Sequence, residues 1–499
     1  MTLRELFREL PRAVVSGPLD AEVHLVTADS REAGPGAVFV AIRGNAGDGH
    51  GFIPAALASG AVAVVAERAP DAGDDEGVAW VHVGDTRAAL ARLADVHAGR
   101  PSRELVLAGV TGTNGKTTTA FLLHHLMERL WHRAGMLGTV SVHDGVESRP
   151  AAHTTPGPVE LQGLIARMAG NGCRGAVMEV SSHGIDQQRV ASVAFDAAVF
   201  TNLSQDHLDY HGTLERYFAA KRAWFEALAD DPLGKKPVAV INLDDSHGAE
   251  LAEVLAGRMP VVGYGFGVGA DFRAENFHQA ADGTQFGLLA RGRSTLVRTP
   301  LIGRFNVYNT LAAVAAASVL GMRLREIVHE LPDAPQVPGR MERIGQRDGV
   351  TVFVDYAHTP DALDNACRTL RELNPRRLVT VFGCGGDRDR TKRPLMAAAV
   401  SRHSDACVIT SDNPRGEDPE KILNDIQRGL GDCPVARIVD RGEAIEKAVV
   451  TAGKGDIILI AGKGHETYQQ FADRTIEFDD RSAARRALFV ERGNQDPRR

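Results

Sequence analysis

Cysteine is scarce: Cys173, Cys367, Cys384, Cys407 and Cys433 are the only five, and no two stand as Cys-x-x-Cys. That spacing argues against a disulfide framework and a zinc knuckle. Basic charge is not in excess either. The chain carries 57 Lys and Arg against 64 Asp and Glu, a net charge of −7, with no basic cluster, so nucleic acid is not an expected partner. The longest apolar run, residues 311–322, is too short to span a bilayer. Residues 1–11 alternate charged and apolar side chains like an amphipathic helix and lack the apolar core of a signal peptide. No internal repeat or low-complexity segment interrupts the chain. These absences leave a soluble, cytoplasmic globular protein as the expectation. Hydrophobic residues make up 43% of 499, enough for several cores, and that length suggests three domains.

Residues 1–98 mix short strands (37–42, 61–66, 79–83) with helical patterns, and Gly99-Arg100-Pro101-Ser102 reads as a linker. From residue 105 the strands are continuous apolar runs, 105–110, 175–180, 197–201 and 237–241, separated by helical patterns. That is the signature of a parallel sheet covered on both faces. A Gly-rich, strand-like stretch over 261–300 precedes a small-residue helix over 306–320, and Pro332, Pro335 and Pro338 mark a second boundary. The last third repeats the α/β theme with strands at 351–355, 378–382, 406–410 and 456–461. The expected fold is α/β, with domains over 1–98, 99–335 and 336–499.

The densest signal is Val110-Thr111-Gly112-Thr113-Asn114-Gly115-Lys116-Thr117-Thr118-Thr119, set between an apolar strand and a helical pattern over 117–131. Glycines let backbone N–H groups approach phosphates, and the helix N-terminus adds positive potential. Lys116 can reach the β/γ-phosphates, and the Thr117 hydroxyl suits Mg²⁺. Val110 stands where the generic motif has its first glycine, and an ordinary Gly-rich βα turn is the alternative. Glu179 ends an apolar strand in the same sheet, where a Mg²⁺ ligand belongs; a solvated strand-end Glu is the plainer reading. His207 and His211 share the i,i+4 spacing of a helical zinc pair, but no Glu follows His207 as in the metalloprotease motif. Lys221 alone would pass for a surface lysine.

Taken together and in order, the phosphate loop, Glu179, Asp206-His207-Leu208-Asp209-Tyr210-His211, Lys221, Asn306-Val307-Tyr308-Asn309 and Asp355-Tyr356-Ala357-His358-Thr359-Pro360 resemble the Mur ligases. These are the ATP-dependent amino-acid ligases of peptidoglycan precursor synthesis, which serves cell shape and division. The resemblance covers essentially the whole chain. It implies a uridine-nucleotide-binding first domain, a central ATP-binding phosphate-loop domain and a Rossmann-like, amino-acid-binding C-terminal domain. It also implies a cytoplasmic monomer, with ATP and Mg²⁺ as cofactors. Gly112, Thr113, Asn114, Gly115, Lys116, Thr117, Thr118, Asn306, Asn309, Arg340 and Asp355 would hold ATP. Thr117 and Glu179 would hold one Mg²⁺. His207 and Lys221 would serve a second, with Lys221 carbamylated by CO₂. Lys116, His207 and Lys221 would be the catalytic set.

Within the family the resemblance is to members that add the third residue of the stem peptide. Asp29-Ser30-Arg31, Asn45 in the looser Gly44-Asn45-Ala46, Thr154 and Thr155 in His153-Thr154-Thr155-Pro156, and Ser181, Gln187 and Arg189 resemble contacts to a UDP-N-acetylmuramoyl-dipeptide. Asp412-Asn413-Pro414-Arg415 resembles the form that adds meso-diaminopimelate rather than lysine. Arg388 in Gly386-Asp387-Arg388, and Gly462 and Glu466 in Gly462-Lys463-Gly464-His465-Glu466, fit the same pocket. Arg415 and Arg388 can grip a distal carboxylate, and Glu466 can accept from a distal ammonium. Lysine lacks that carboxylate and would leave buried guanidinium unpaired. A helix-entry role is the plain alternative for Arg415. An L-lysine-adding Mur ligase and a folylpolyglutamate synthetase-like ligase are the alternative enzymes. A nucleotide-binding regulatory protein is the alternative class, which would have no need of a second metal site.

Overall fold

The computed structural model describes residues 1–44, 47–68, 77–231 and 233–489. The chain forms two compact units. One holds Met1–Arg273, Leu289–Arg293 and Tyr308–Glu330; the other holds Ala274–Leu288, Ser294–Val307 and the chain from Leu331 onward.

The first unit carries two sheets. The smaller has the order Val14–Ser16, Ala79–His82, Ala63–Ala66, Ala37–Val40, Leu25–Thr27, parallel except at its first pair. The larger runs Val261–Gly265, Val238–Asn242, Ala197–Phe200, Val106–Thr111, Gly175–Glu179, Ala134–Leu137, all parallel. Ser141–His143 and Ser148–Pro150 follow antiparallel. Ala197–Phe200 and Gly175–Glu179 are buried along their whole length, which explains their unbroken apolar sequences. Helices Pro158–Gly170 and Leu214–Asp230 share the sheet's core through Leu161, Ile165, Met168, Phe218, Trp224 and Phe225. The stretch over 261–300 makes four strands, and Gly283–Ala290 alternates in burial as a strand with one wet face does.

Two local expectations change. The helix expected over 1–11 is only Leu3–Phe7. A Thr2–Glu5 capping box starts it, and it gives way to turns before Pro11. The segment read as a linker is packed: Pro101 and Ser102 are buried, and Ser102 Oγ accepts from Ala194 N at 3.1 Å.

The second unit is built on a six-stranded sheet, ordered Glu342–Arg347, Val350–Asp355, Asp456–Ala461, Arg377–Phe382, Ala406–Ile409, Val435–Arg437. Only its first pair is antiparallel. Asp456, at the start of a central strand, is fully buried and takes Arg376 Nε at 2.9 Å and Arg377 Nη2 at 2.6 Å. Burial would raise its pKa, but these bonds and one from Gly453 N outweigh burial and hold it at about 2. A carboxylate depressed below its unfolded value, about 3.9, stabilises the fold above that value and loses the contribution as pH falls towards the folded one. Asp456→Asn is therefore expected to cost about 1–2 kcal/mol near neutrality, discounted for the exposed guanidinium partners. In thermal melts the gap to wild type should close as pH falls from about 4 to 2. A gap that stays constant over that range would refute the pairing as its source.

Candidate functional site

Strand Val106–Thr111 runs into the phosphate loop, and helix Lys116–Trp131 leaves it. Gly115, at φ +86°, starts the helix with no side-chain cap, leaving its N-terminal amides to face a ligand. A Cβ at Gly115 would lie 2.2 Å from Asn309 Oδ1, so a larger residue would have to push the Asn309 amide aside as well as adopt the positive φ. Lys116 Nζ lies across the loop, donating to Gly112 O and Thr113 O, both at 2.9 Å. The loop after the neighbouring strand Ala197–Phe200 braces it. Thr113 N donates to Asn202 O and Asn114 N to Asn202 Oδ1, each at 2.9 Å. Thr113 Oγ1 also reaches the Tyr217 hydroxyl at 3.2 Å. Thr118 is buried in the helix's first turn.

Glu179 is completely buried, yet its carboxylate meets neutral donors. Thr117 Oγ1 and Thr139 Oγ1 both donate to Oε2 at 3.0 Å, and Thr139 N donates to Oε1 at 2.7 Å. A buried carboxylate among hydroxyl oxygens is a hard-oxygen donor set of the kind Mg²⁺ takes. Thr139 escaped sequence reasoning. Its signal is Gly138, where a Cβ would sit 2.5 Å from Glu179 Oε1.

Lys221 is buried on helix Leu214–Asp230, with Nζ 3.0 Å from Gly112 O and 3.3 Å from Thr111 Oγ1, over the Tyr217 ring. Burial, with Lys116 nearby, drives its pKa well below the usual lysine value. His207 stands in the left-handed region at φ +54° and packs edge-on to Tyr217. Burial lowers its pKa to about 4 despite Asp206, so its ring is neutral at physiological pH. The Tyr217 ring thus contacts both His207 and Lys221. His211 does not join them as a zinc pair; its Nε2 is 3.0 Å from Ser182 Oγ.

Another group, His124, Glu128 and His143, brings three ligand atoms within 4.8 Å of one another. Backbone already engages all three. His124 Nε2 is 3.3 Å from Ala134 O, Glu128 Oε1 accepts from Ala134 N, and His143 Nδ1 accepts from Gly145 N. The cluster reads as a fold tie.

Gln187 and Arg189 line a cavity of about 630 Å³ together with Ile42, Phe52, Arg87 and Pro158. Arg87 was not foreseen, since nothing in its sequence surroundings marks it. Arg189 Nη1 donates to Thr155 O at 2.6 Å, and its Nη2 to Gln187 Oε1 at 2.7 Å. Thr155 Oγ1 lies 2.9 Å from Glu179 O and 3.1 Å from Ser181 Oγ. Thr154 Oγ1 meets Thr139 Oγ1 at 3.0 Å. One run of hydrogen bonds therefore joins the cavity wall to the Glu179 cluster. Arg31 is exposed and grips Asp29 two-pronged, at 2.9 and 2.5 Å, with half-buried Ser30 between them. Asn45 lies outside the described residues.

In the second unit, Asn306 Nδ2 donates to Ile302 O at 2.8 Å. The Asp355 carboxylate accepts from Met341 N at 2.6 Å and Ala357 N at 2.8 Å, fixing the backbone on both sides of an Arg340–Tyr356 stack at 4.5 Å. The loops after strands Ala406–Ile409 and Asp456–Ala461 carry the remaining expected residues. Asn413 is buried. Its Oδ1 accepts from Lys463 Nζ and Gln470 N, both at 3.0 Å, and its Nδ2 donates to Glu466 Oε2 at 3.0 Å. Asn413 thus holds the pocket's frame. Asp412 Oδ1 accepts from Asn413 N, and the Pro414 carbonyl accepts from Glu417 N. Gly462 N donates to Asp355 O. Arg415, at φ +50°, is anchored by Gly386 O at 2.8 Å, and exposed Arg388 by Asp387 O at 3.1 Å. Two guanidinium groups and the carboxylates of Asp412 and Glu466 thus belong to one loop cluster.

A phosphate loop on a parallel sheet, a buried carboxylate among hydroxyls and a lysine beside the loop are the equipment of a nucleotide-dependent ligase. Three family descriptions match in chain order: Mur ligase family, catalytic domain, over residues 22–98; Mur ligase middle domain, over 110–317; and Mur ligase, glutamate ligase domain, over 339–464. The chain belongs to the Mur ligase family and is an ATP-dependent ligase. It is 44% identical to the UDP-N-acetylmuramoyl-L-alanyl-D-glutamate–2,6-diaminopimelate ligase of Geobacter sulfurreducens, over 97% of this chain and 98% of that protein. It is 46% identical to the protein of the same name from Thermosynechococcus vestitus, over 98% of each. A solved structure of a UDP-N-acetylmuramoyl-L-alanyl-D-glutamate–2,6-diaminopimelate ligase superposes with a TM-score of 0.72 at 34% identity, over 98% of each chain. The MurF ligase from Thermotoga maritima in complex with ADP shares the fold, with a TM-score of 0.61 at 20% identity, over 94% of this chain and 97% of that one. Among the described residues no helix is long and apolar enough to cross a membrane.

Proposed function

We propose that this chain joins meso-diaminopimelate to the terminal glutamate of UDP-N-acetylmuramoyl-L-alanyl-D-glutamate, a cytoplasmic step of peptidoglycan precursor synthesis. ATP phosphorylates the glutamate carboxylate; the diaminopimelate amine attacks the acyl carbon, and phosphate leaves. The nucleotide substrate occupies the cavity lined by Gln187, Arg189 and Arg87. The loop amides and Lys116 hold the phosphates by position and charge, which is most of what phosphoryl transfer needs. Thr117 and Glu179 would hold one Mg²⁺ and His207 with a carbamylated Lys221 a second, ions that would supply charge neutralisation at the phosphates. A neutral amine is the form that reacts with CO₂, and burial moves the pKa of Lys221 in that direction. The resulting carbamate would set an anion near the Lys116 ammonium. Three domains, over 1–98, 99–335 and 336–499, divide these tasks. Asn306, Asn309, Arg340 and Asp355 serve ATP.

The observation that carries the substrate assignment is the Asn413 tie. It locks the 412–415 loop, which presents Arg415, to Glu466, Nδ2 to Oε2 at 3.0 Å. A carboxylate-binder and an ammonium-binder on one frame match an amino acid with a second zwitterionic head. Arg415→Ala is expected to cost about 2–4 kcal/mol in kcat/KM for diaminopimelate, roughly 30- to 800-fold, with the KM for ATP nearly unchanged. Lysine should stay a poor substrate, because the deletion builds no pocket for it. The check offers diaminopimelate, lysine and folate-type acceptors in parallel to wild type and variant. Wild-type preference for lysine, or unaltered diaminopimelate kinetics in Arg415→Ala, would overturn the assignment.

A further inference from the structure

Arg441 begins helix Arg441–Val450 and is wholly buried, as is its partner Asp480 at the start of helix Asp480–Phe489. Its Nε donates to Asp480 Oδ1 and its Nη2 to Asp480 Oδ2, both at 2.7 Å. The same fork also donates to two main-chain carbonyls, Nη2 to Ala461 O at 3.0 Å and Nη1 to Ser411 O at 3.3 Å. Those carbonyls sit one residue before Asp412 and one residue before Gly462. Where the two loops meet, they nearly touch: a Cβ on Gly462, at φ +120°, would lie 2.6 Å from Asp412 Oδ2 and 3.7 Å from Arg441 Nη2. A buried charge is costly unless paired and fully hydrogen-bonded, and this one has four bonds aimed at three chain segments. A simpler ion pair would suffice to close the helices together. Bonds to the two carbonyls add something else: they fix the spacing between the loop that presents Arg415 and the loop that presents Glu466.

We propose that Arg441 is a positioning residue for the amino-acid pocket, its single guanidinium setting the distance between the 412–415 and 462–466 loops. The proposal rests on the reading of those loops as the amino-acid site. It predicts that disturbing the fork changes recognition of the amino acid and of nothing else. A lysine keeps the charge but has one nitrogen in place of a planar fork, so it cannot reproduce the spacing.

The test measures KM for each of three substrates and the melting temperature in Arg441→Met, Arg441→Lys and Asp456→Asn. Asp456 is the control: it is a fully buried, doubly paired carboxylate at the opposite end of the strand that ends at Ala461. The wild-type protein is first offered diaminopimelate and lysine, which tests the underlying reading by itself. The variants are then titrated with whichever amino acid wild type uses. Arg441→Met is expected to raise that KM at least tenfold, and the milder Arg441→Lys at least threefold. The KM values for ATP and the UDP-linked dipeptide should stay within twofold. Asp456→Asn should melt lower and leave all three KM values in place. The proposal is overturned if Arg441→Lys shows the wild-type KM for the amino acid. It is also overturned if all three KM values rise together, or if Asp456→Asn raises the amino-acid KM as much as the Arg441 variants do.

Discussion

Lys116→Ala is expected to lower ligation by about 10³- to 10⁴-fold at saturating ATP. Its ammonium already lies across the phosphate loop, between Gly112 O and Thr113 O. Removing one preorganised electrostatic contact to developing charge costs about 10²–10³-fold in other active sites, and phosphoryl transfer leans on such contacts more than most chemistry does. Its bonds to Gly112 O and Thr113 O lie within the loop itself, so losing them should leave the fold largely in place. The measurement is phosphate release dependent on both amino acid and acceptor, with a melting curve on the same sample. Turnover near wild type in a folded Lys116→Ala protein would remove the phosphate loop from the mechanism.

Removal of Lys221 should come second. Lys221→Ala is expected to lose about 10³-fold in turnover and to regain part of it with short carboxylic acids, which can enter the space and supply oxygen. Rescue is the informative readout, because a lysine acting as a cation would be rescued by amines instead. Intact-protein or peptide mass measurement at raised bicarbonate should find an added 44 Da, the mass of CO₂, on wild type and not on the variant. An active Lys221→Ala, or rescue by amines alone, would end the carbamate reading.

Much of this was legible from sequence where chemistry and periodicity coincide. Continuous apolar runs marked the buried parallel strands because both faces of each are covered, as at Ala197–Phe200. The phosphate loop and Glu179 were legible because glycine, lysine and a strand-end carboxylate have few other reasons to stand in that order. Thr139, Asn202 and Tyr217 were not. A threonine, an asparagine and a tyrosine are unremarked until the fold brings them to Glu179 Oε2, Asn114 N and Thr113 Oγ1. Arg441 was invisible for the same reason, since its four acceptors come from residues 411, 461 and 480. The packing of the Gly99–Ser102 segment was not legible either. Gly-Arg-Pro-Ser is loop-like in composition, and composition says nothing about whether Ser102 finds Ala194 N.

The two units are interleaved along the chain, the first reclaiming Tyr308–Glu330 after the second has begun. During synthesis on the ribosome, residues 1–273 would emerge with their phosphate loop complete in sequence but without Asn309, whose amide fills the space beside Gly115. The first unit therefore reaches its finished form only after residue 330 has been made and has threaded back. No single cut separates the two, and fragments designed at residue 273 would leave one half without the side chain that closes over its own nucleotide loop.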